Sequence, residues 1–473
     1  MNNIKKNFIY NISYQLLLLL IPLITVPYTS RVLGANGIGQ YSYTYSIVNY
    51  FMLIALLGIN NHGNRTIAKS RENKKELSKN FIGIYSIQVI MSFLMIISYI
   101  AYLLLFNIKY KTIATIQIIH LISNTFDINW FFFGIEKFKI TVTRSTIIKI
   151  LSLILIFTLV KNQNDIWIYT IILSGSTLIS QLILFPFLKK EIEFTKINIS
   201  DIKKHIVPCL IMFIPVISIS LYKVMDKIML GAMANVTEVG YYEQAEKIIN
   251  IPMSIITALG TVMMPRISNL ISKGNKKQIY DYIFKSINFM MFLAFPICLG
   301  LIAVSSRFIP IFMGDEFIKT SKLINYLSIT IIFISFANVI RKQYLVPMEY
   351  DKIFILSVIS GALVNLMLNF LLIPRYNSEG ASIATVIAEL MVMGIQIIAV
   401  RKELPILQYF KSISSFIAKS LIMFTLVIII GKIKMNNIAI ICIQVIIGSI
   451  VYFILNLKYI NSIINFKKII KRW

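Results

Sequence analysis

The chain has 473 residues, of which 57% are hydrophobic and 14% charged, and its mean hydropathy is +0.77, which excludes a string of water-soluble domains. The formal charge of +27 lies mostly in loops between apolar runs. Membrane topology and attraction to anionic lipid account for it there without nucleic-acid binding. Three cysteines without CxxC spacing and three scattered histidines offer no disulfide framework, metal site or catalytic triad.

Apolar runs of roughly 20 residues recur along the chain, each long enough as a helix to cross a hydrocarbon core of about 30 Å. They are apolar on every face, unlike β-barrel strands. The expected fold is all-α and polytopic. Met1 to Lys6 followed by an apolar run superficially resembles a signal peptide, but no small-x-small cleavage site follows, so it reads as the first spanning helix. Seven spans are expected near 8–30, 40–59, 81–106, 112–134, 140–160, 166–188 and 206–231, and seven more near 240–264, 281–304, 321–340, 353–373, 380–400, 412–430 and 437–457. The total is fourteen.

Pro22 to Gly39, which includes Ser30-Arg31-Val-Leu-Gly34 and Gly39, ends the first span and makes a short turn before a helix restarting at Tyr41. A weaker copy runs from Pro215 through Lys223, Asp226, Lys227 and Gly231 to Val239-Gly240-Tyr-Tyr242, about 200 residues on. The chain therefore reads as two related halves.

Basic residues alternate loop by loop. Arg65, Lys69, Arg71, Lys74, Lys75 and Lys79 crowd one connection, whereas none lies between Ala232 and Val239. Positive loops stay cytoplasmic, and an even number of spans puts both termini there. In the tail from Lys458 to Trp473, isoleucines alternate with lysines as in a helix lying in the membrane interface, or a solvated tail.

Ionisable groups inside spans are costly and mark functional candidates. The candidates singled out are Arg31 at the edge of the first span, with Asp127, Lys149, Lys223, Asp226, Lys227, Glu243, Glu246, Lys247, Glu389 and Lys419. Glu243 precedes Lys247 by four residues, so part of the set could simply be paired along one helix. The Lys223, Asp226 and Lys227 cluster and the Glu243, Glu246 and Lys247 cluster nonetheless fall in adjacent spans, as expected of a shared hydrated interior. Prolines 22, 27, 215, 252, 265 and 296 sit in or beside spans, where kinks serve helices that bend or line a cavity.

Beyond these patterns, the chain resembles the polysaccharide flippases, the Wzx and PST-type members of the MOP exporter superfamily, which includes the lipid II flippase MurJ and the MATE antiporters. Besides the two stretches above, the likeness rests on Asn64-Arg65-Thr-Ile-Ala68, on Phe126-Asp127-Ile-Asn-Trp130-Phe-Phe-Phe-Gly134-Ile-Glu136, on Met264-Pro265-Arg266, and on Asn365, Asn369 and Gly380-Ala-Ser-Ile-Ala-Thr385 with Glu389. It implies two pseudo-symmetric six-helix bundles, 1–205 and 206–411, around a central cavity, with 412–473 adding two helices and the basic tail. It further implies a transporter without a catalytic site, translocating an undecaprenyl-pyrophosphate-linked oligosaccharide across the cytoplasmic membrane by alternating access, as a monomer and alongside other polysaccharide assembly proteins.

In that setting Arg31, Lys149, Lys223, Lys227 and Lys247 are the expected cavity cations for the pyrophosphate, since buried cations attract phosphate strongly. Asp127, Asp226, Glu243 and Glu389 are expected to balance charge or carry a coupling H⁺ or Na⁺. No other cofactor and no metal is implied. One rival is a MATE-like cation antiporter, which would favour an anionic cavity. Another is a membrane-embedded polysaccharide polymerase or ligase, for which no large outward loop or paired acid and base is present. No GxxxxGK[ST] loop indicates ATP hydrolysis.

Overall fold

A peptide group in hydrocarbon has no water to bond, so runs of Leu, Ile, Val and Phe must close their hydrogen bonds internally as helix. The computed structural model describes residues 2–193, 195–196, 198–272 and 276–462, leaving aside the side chains at 2–19, 215, 219, 221–223, 258–266, 268–272, 276 and 277. The Pro215, Lys223, Met264, Pro265 and Arg266 side chains and the tail from Ile463, singled out above, lie outside the described residues.

Sixteen helices follow one another: α1 (Asn2–Leu56), α2 (Ile59–Ser70), α3 (Lys74–Leu105), α4 (Lys111–Ile116), α5 (Ile118–Thr125), α6 (Asn129–Gly134), α7 (Phe138–Leu159), α8 (Ile166–Leu182), α9 (Phe185–Leu188), α10 (Ile199–Met233), α11 (Val236–Ser272), α12 (Lys276–Met313), α13 (Ile318–Ile340), α14 (Asp351–Val400), α15 (Ile406–Gly431) and α16 (Asn437–Leu455). No strand occurs among the described residues. Each predicted span overlies helix, and nine stretches among the described residues are long and apolar enough to cross a membrane, two of them (Leu20–Ser70 and Asp351–Val400) holding two predicted spans each. The chain divides into two compact units, 1–243 and 244–473.

The outward faces are greasy and the interiors carry the polar groups. Leu104, Leu105, Met367 and Leu407 are largely exposed, whereas Ser46, Gln88, Ser92, Asn124, Asn365 and Asn369 are buried. That arrangement suits a lipid surround, in which a buried side-chain amide or hydroxyl can tie one helix to another. In the first unit Tyr99 donates to the Ala114 carbonyl at 2.9 Å and Asn124 to the Met52 carbonyl at 2.9 Å, stitching α3 to α4 and α5 to α1.

The helix boundaries differ from expectation in two ways. The expected turn between the first two spans is a kink at a single residue, Gly34, whose φ of 65° and ψ of 176° interrupt an otherwise continuous α1. Glycine bears that φ without the Cβ clash any other residue would suffer. α14 is likewise continuous across its two expected spans except at Asn377, with φ 51° and ψ −130°, just after Pro374. Conversely, the expected fourth span is broken between α5 and α6, at Phe126 to Ile128.

That break is held by one side chain. Gln88 of α3 donates to the carbonyls of Asn124 (2.8 Å), Thr125 (3.3 Å) and Asp127 (2.9 Å) and accepts the Trp130 indole N–H at 3.0 Å. The Asp127 carboxylate accepts the Asn129 amide N–H at 3.0 Å, capping α6. Carbonyls orphaned by the break thus find donors without water. Gln88→Leu keeps the size but leaves these groups unpaired, and should lower stability by about 3 kcal/mol. Chemical unfolding in detergent, followed by tryptophan fluorescence, checks this.

Candidate functional site

The charge-bearing hairpin of α10 and α11 is locked to the restarted half of α1 within the first unit. Two adjacent links cross the hairpin. Tyr242 donates its hydroxyl to Asp226 Oδ2 at 2.7 Å, and Lys227 Nζ lies 2.7 Å from Glu243 Oε2. Asp226 is 2% exposed, and the Lys227 and Glu243 side chains are 18% and 17% exposed. Ser42 of α1 donates to the same Glu243 oxygen at 2.8 Å, so a cation, an anion and a hydroxyl converge from three helices. An isolated buried ion would be prohibitively costly, whereas a hydrogen-bonded pair is tolerated.

Glycine sets how closely α1 approaches α11. A Cβ on Gly39 would lie 1.7 Å from the Val236 carbonyl oxygen, and one on Gly240 would lie 2.0 Å from that of Ala35. Backbone meets backbone at both points. Asn36 donates to Thr237 Oγ1 at 3.3 Å, and this pair, like Ser42 and Glu243, is 201 residues apart. At that same offset Ala35 corresponds to Val236 and Gly39 to Gly240, so the two close contacts are each other's images. This is the reciprocity of a two-fold contact, built here from two stretches of one chain. The Leu-Gly pairs do not share the offset: Gly231 stands 197 residues beyond Gly34, inside α10 and against the Tyr43 ring. The second copy thus carries four extra residues, about one helical turn.

An aromatic cluster flanks this contact. Tyr41 and Tyr45 stack with centroids 5.7 Å apart, Tyr169 meets Tyr41 edge-on at 5.2 Å, and the His120 ring meets Tyr45 at 5.1 Å. The other two histidines also find each other, His62 Nε2 lying 3.0 Å from His205 Nδ1 between α2 and α10.

The remaining sequence candidates are distributed. Arg31 is exposed just before the Gly34 kink, its guanidinium 3.5 Å from the Pro27 carbonyl one turn back. Asp127 lies at the α5–α6 break, and Lys149 is half-buried on α7. Lys247 is half-buried on α11 and Glu389 is 6% exposed on α14, both in the second unit. Glu246, also on α11, is half-buried, and Lys419 of α15 donates to Asn456 Oδ1 at 3.2 Å. Of the set, Asp226, Lys227 and Glu243 are brought together.

Arg144, inside the expected fifth span but absent from the sequence candidates, is 7% exposed. Its Nη1 donates to the Ser180 carbonyl (2.6 Å) and Gln181 Oε1 (3.2 Å), and its Nη2 to Asn129 Oδ1 (3.0 Å) and Ser145 Oγ (2.9 Å). The rule that flagged its neighbour Lys149 applies to it equally. Among the described residues no group of His, Cys, Asp and Glu is placed to hold a metal ion.

The profile of the family described as "Polysaccharide biosynthesis protein" matches residues 4–271, more than half of the chain. The chain belongs to this family. A second profile, MatE, matches residues 211–371. The "Putative O-antigen transporter" of Escherichia coli (strain K12) is 26% identical over 407 residues, covering 85% of this chain and 97% of that protein. "Lipid II flippase MurJ" of Bacillus subtilis (strain 168) is 27% identical over 144 residues, 30% of this chain and 26% of that protein. Among solved structures, "Lipid II flippase MurJ, inward closed conformation" aligns with 97% of this chain and 99% of its own, at a TM-score of 0.77 and 18% identity. An inward-facing MATE family transporter of the MOP superfamily aligns with 84% of this chain and 95% of its own, at 0.59 and 12% identity. At these identities the structural likeness is one of fold, which this member of the family shares with MurJ and the MATE transporters.

The close contact tests directly. Gly39→Ala and Gly240→Ala each drive a methyl into a backbone carbonyl that cannot rotate aside, and should each cost about 2 kcal/mol or more. Gly175→Ala in α8, where nothing lies within 4 Å, should leave stability unchanged or slightly raised. Melting temperatures of the three variants in one detergent give the comparison.

Proposed function

We propose that the chain is a flippase that moves an oligosaccharide repeat unit, linked to undecaprenyl pyrophosphate, across the cytoplasmic membrane by alternating access for surface polysaccharide assembly. Family membership, the name carried by the Escherichia coli relative and the MurJ-like fold support it. The relatives' names are those of transporters, which speaks against the polymerase or ligase reading.

The observation that carries the mechanism is the Lys227–Glu243–Ser42 convergence beside the paired glycine contact. A ligand shifts a conformational equilibrium only as far as it binds one state better than the other. A pyrophosphate reaching Lys227 competes with Glu243 for the ammonium, and a Glu243 no longer anchored by Lys227 can turn its carboxylate away from Ser42. Substrate charge then loosens the link between α1 and α11, and the freed carboxylate becomes the group on which a coupling H⁺ or Na⁺ can sit. In this reading Arg31, Lys149, Lys223 and Lys247 supply further positive field along the path, and Asp127, Asp226 and Glu389 balance it.

Replacing both members of a buried ion pair by apolar residues of similar volume is often neutral for stability, whereas removing one strands the other. The double variant Lys227→Met/Glu243→Met should therefore reach the membrane at normal level and melt within a few degrees of the parent, yet lose surface-polysaccharide export in a complementation assay. Export retained at parental efficiency would overturn the mechanism.

Positive loops argue for cytoplasmic termini. A reporter fused after Lys79 should then read as cytoplasmic and one after Val236 as external, and the opposite result at either point would break the topology.

A further inference from the structure

A second polar site in the first unit is not absorbed by the ion-pair mechanism. A cavity of about 540 Å³ opens among α2, the α5–α6 break, α6 and α7, its lining including Asn60, Asn61, Asn64, Asp127, Phe133 and Arg144. That volume falls within the ~300–1,000 Å³ of small-ligand sites.

Its chemistry is specific. Asn60 and Asn61 are exposed and Asn64 half-buried, so their amides stand open to the cavity, and none caps α2, whose N-cap is Gly58. Asparagine is a poor helix former, so three in the first six residues of a 12-residue helix weaken it without local return. Residues that break a local rule without local compensation tend to mark function. Opposite them, the Asp127–Asn129–Arg144–Gln181 chain is fixed in place. Asn129 Nδ2 donates to Asp127 Oδ1 at 2.7 Å and to Gln181 Oε1 at 3.1 Å, while its Oδ1 accepts from Arg144. Both terminal nitrogens of Arg144 are engaged with protein oxygens, so this arginine presents no open fork to a phosphate. Phe133, 37% exposed and stacked on Phe138 with centroids 5.6 Å apart, adds an apolar face.

We infer that this cavity binds an uncharged pyranose ring, the sugar end of the cargo, with the asparagine amides and the Asp127 carboxylate on its hydroxyls and Phe133 against its C–H face. Amides both donate and accept, as hydroxyls require, and a carboxylate accepts two such bonds. The inference deepens the flippase reading and rests on it for the identity of the sugar as cargo. Arg65 and Lys69 on α2, with Arg71 just after it, place the cavity at the cytoplasmic face of the proposed topology, where loading begins. The site would select among repeat units, while the Lys227 site answers to the pyrophosphate common to all of them.

The test uses the purified full-length protein in detergent and saturation-transfer difference NMR with the methyl pyranosides of glucose, galactose, mannose and N-acetylglucosamine. At least one should give a saturable signal. Asn64→Ala and Asn61→Ala should each weaken its binding about tenfold, with melting temperatures near the parent's, and inorganic pyrophosphate should not displace it. The inference falls if no pyranoside gives a saturable signal, if both variants bind the sugar undiminished, or if pyrophosphate competes. None of those outcomes touches the flippase reading, which stands or falls on export by the Lys227→Met/Glu243→Met variant.

Discussion

In a bilayer every peptide group and every charge carried below the surface must find its partner inside the protein, and the structure is organised by how that demand is met. Continuous helix meets it for most of the backbone. Where helix fails, side chains take over: Gln88 serves three carbonyls at the α5–α6 break, and Arg144 closes a ring of amides behind it. At the α10–α11 hairpin, charge is carried partly as a pair, Lys227 with Glu243, and partly on a hydroxyl, Asp226 with Tyr242. These partners tie neighbouring helices into one unit while the outer faces stay apolar.

The same demand explains how the chain combines rigidity with transport. The described polar links at the α1, α10 and α11 junction converge on Glu243, so one competing anion can address several at once. By contrast, the surface pairs Arg71–Glu136 and Lys74–Glu193, at 2.7 and 3.3 Å, sit at exposed helix ends and loops where such pairs contribute little. The exposed pairs fasten basic segments, whereas the half-buried pair joins α10 to α11.

Much of the fold was legible in sequence because hydrophobic run length is a strong signal in lipid. Helix ends were less so. The Pro22 to Gly39 stretch looks like a loop because its Gly, Asn and Ser residues favour turns, yet only Gly34 leaves helical geometry, and the residues after it are held as helix by packing against the 236–240 backbone. The fourth span looked continuous because the residue that stabilises its break, Gln88, lies on another helix. At the candidate site, i,i+4 spacing pointed to Glu243 with Lys247; the structure adds Lys227 on the preceding helix as a partner of Glu243, a pairing no periodicity could show. Arg144 was readable by the rule that flagged Lys149. The reciprocal glycine contact was half visible, since the repeat showed in the motifs, but its register had to wait for the extra turn in the second copy.

The kink at Gly34 gives α1 the mechanics of a lever. The 22 residues from Ala35 to Leu56 form a rod of roughly 33 Å beyond that single residue, so a rotation there of about 10° would carry the far end through about 6 Å. In the second copy the corresponding place is a hairpin through Ala234 and Asn235, which turns the chain back instead of extending it. Two halves descended from one pattern thus have unlike stiffness. A displacement imposed just beyond Gly34 travels along a single shaft, while one imposed near Lys227 is taken up within a folded pair.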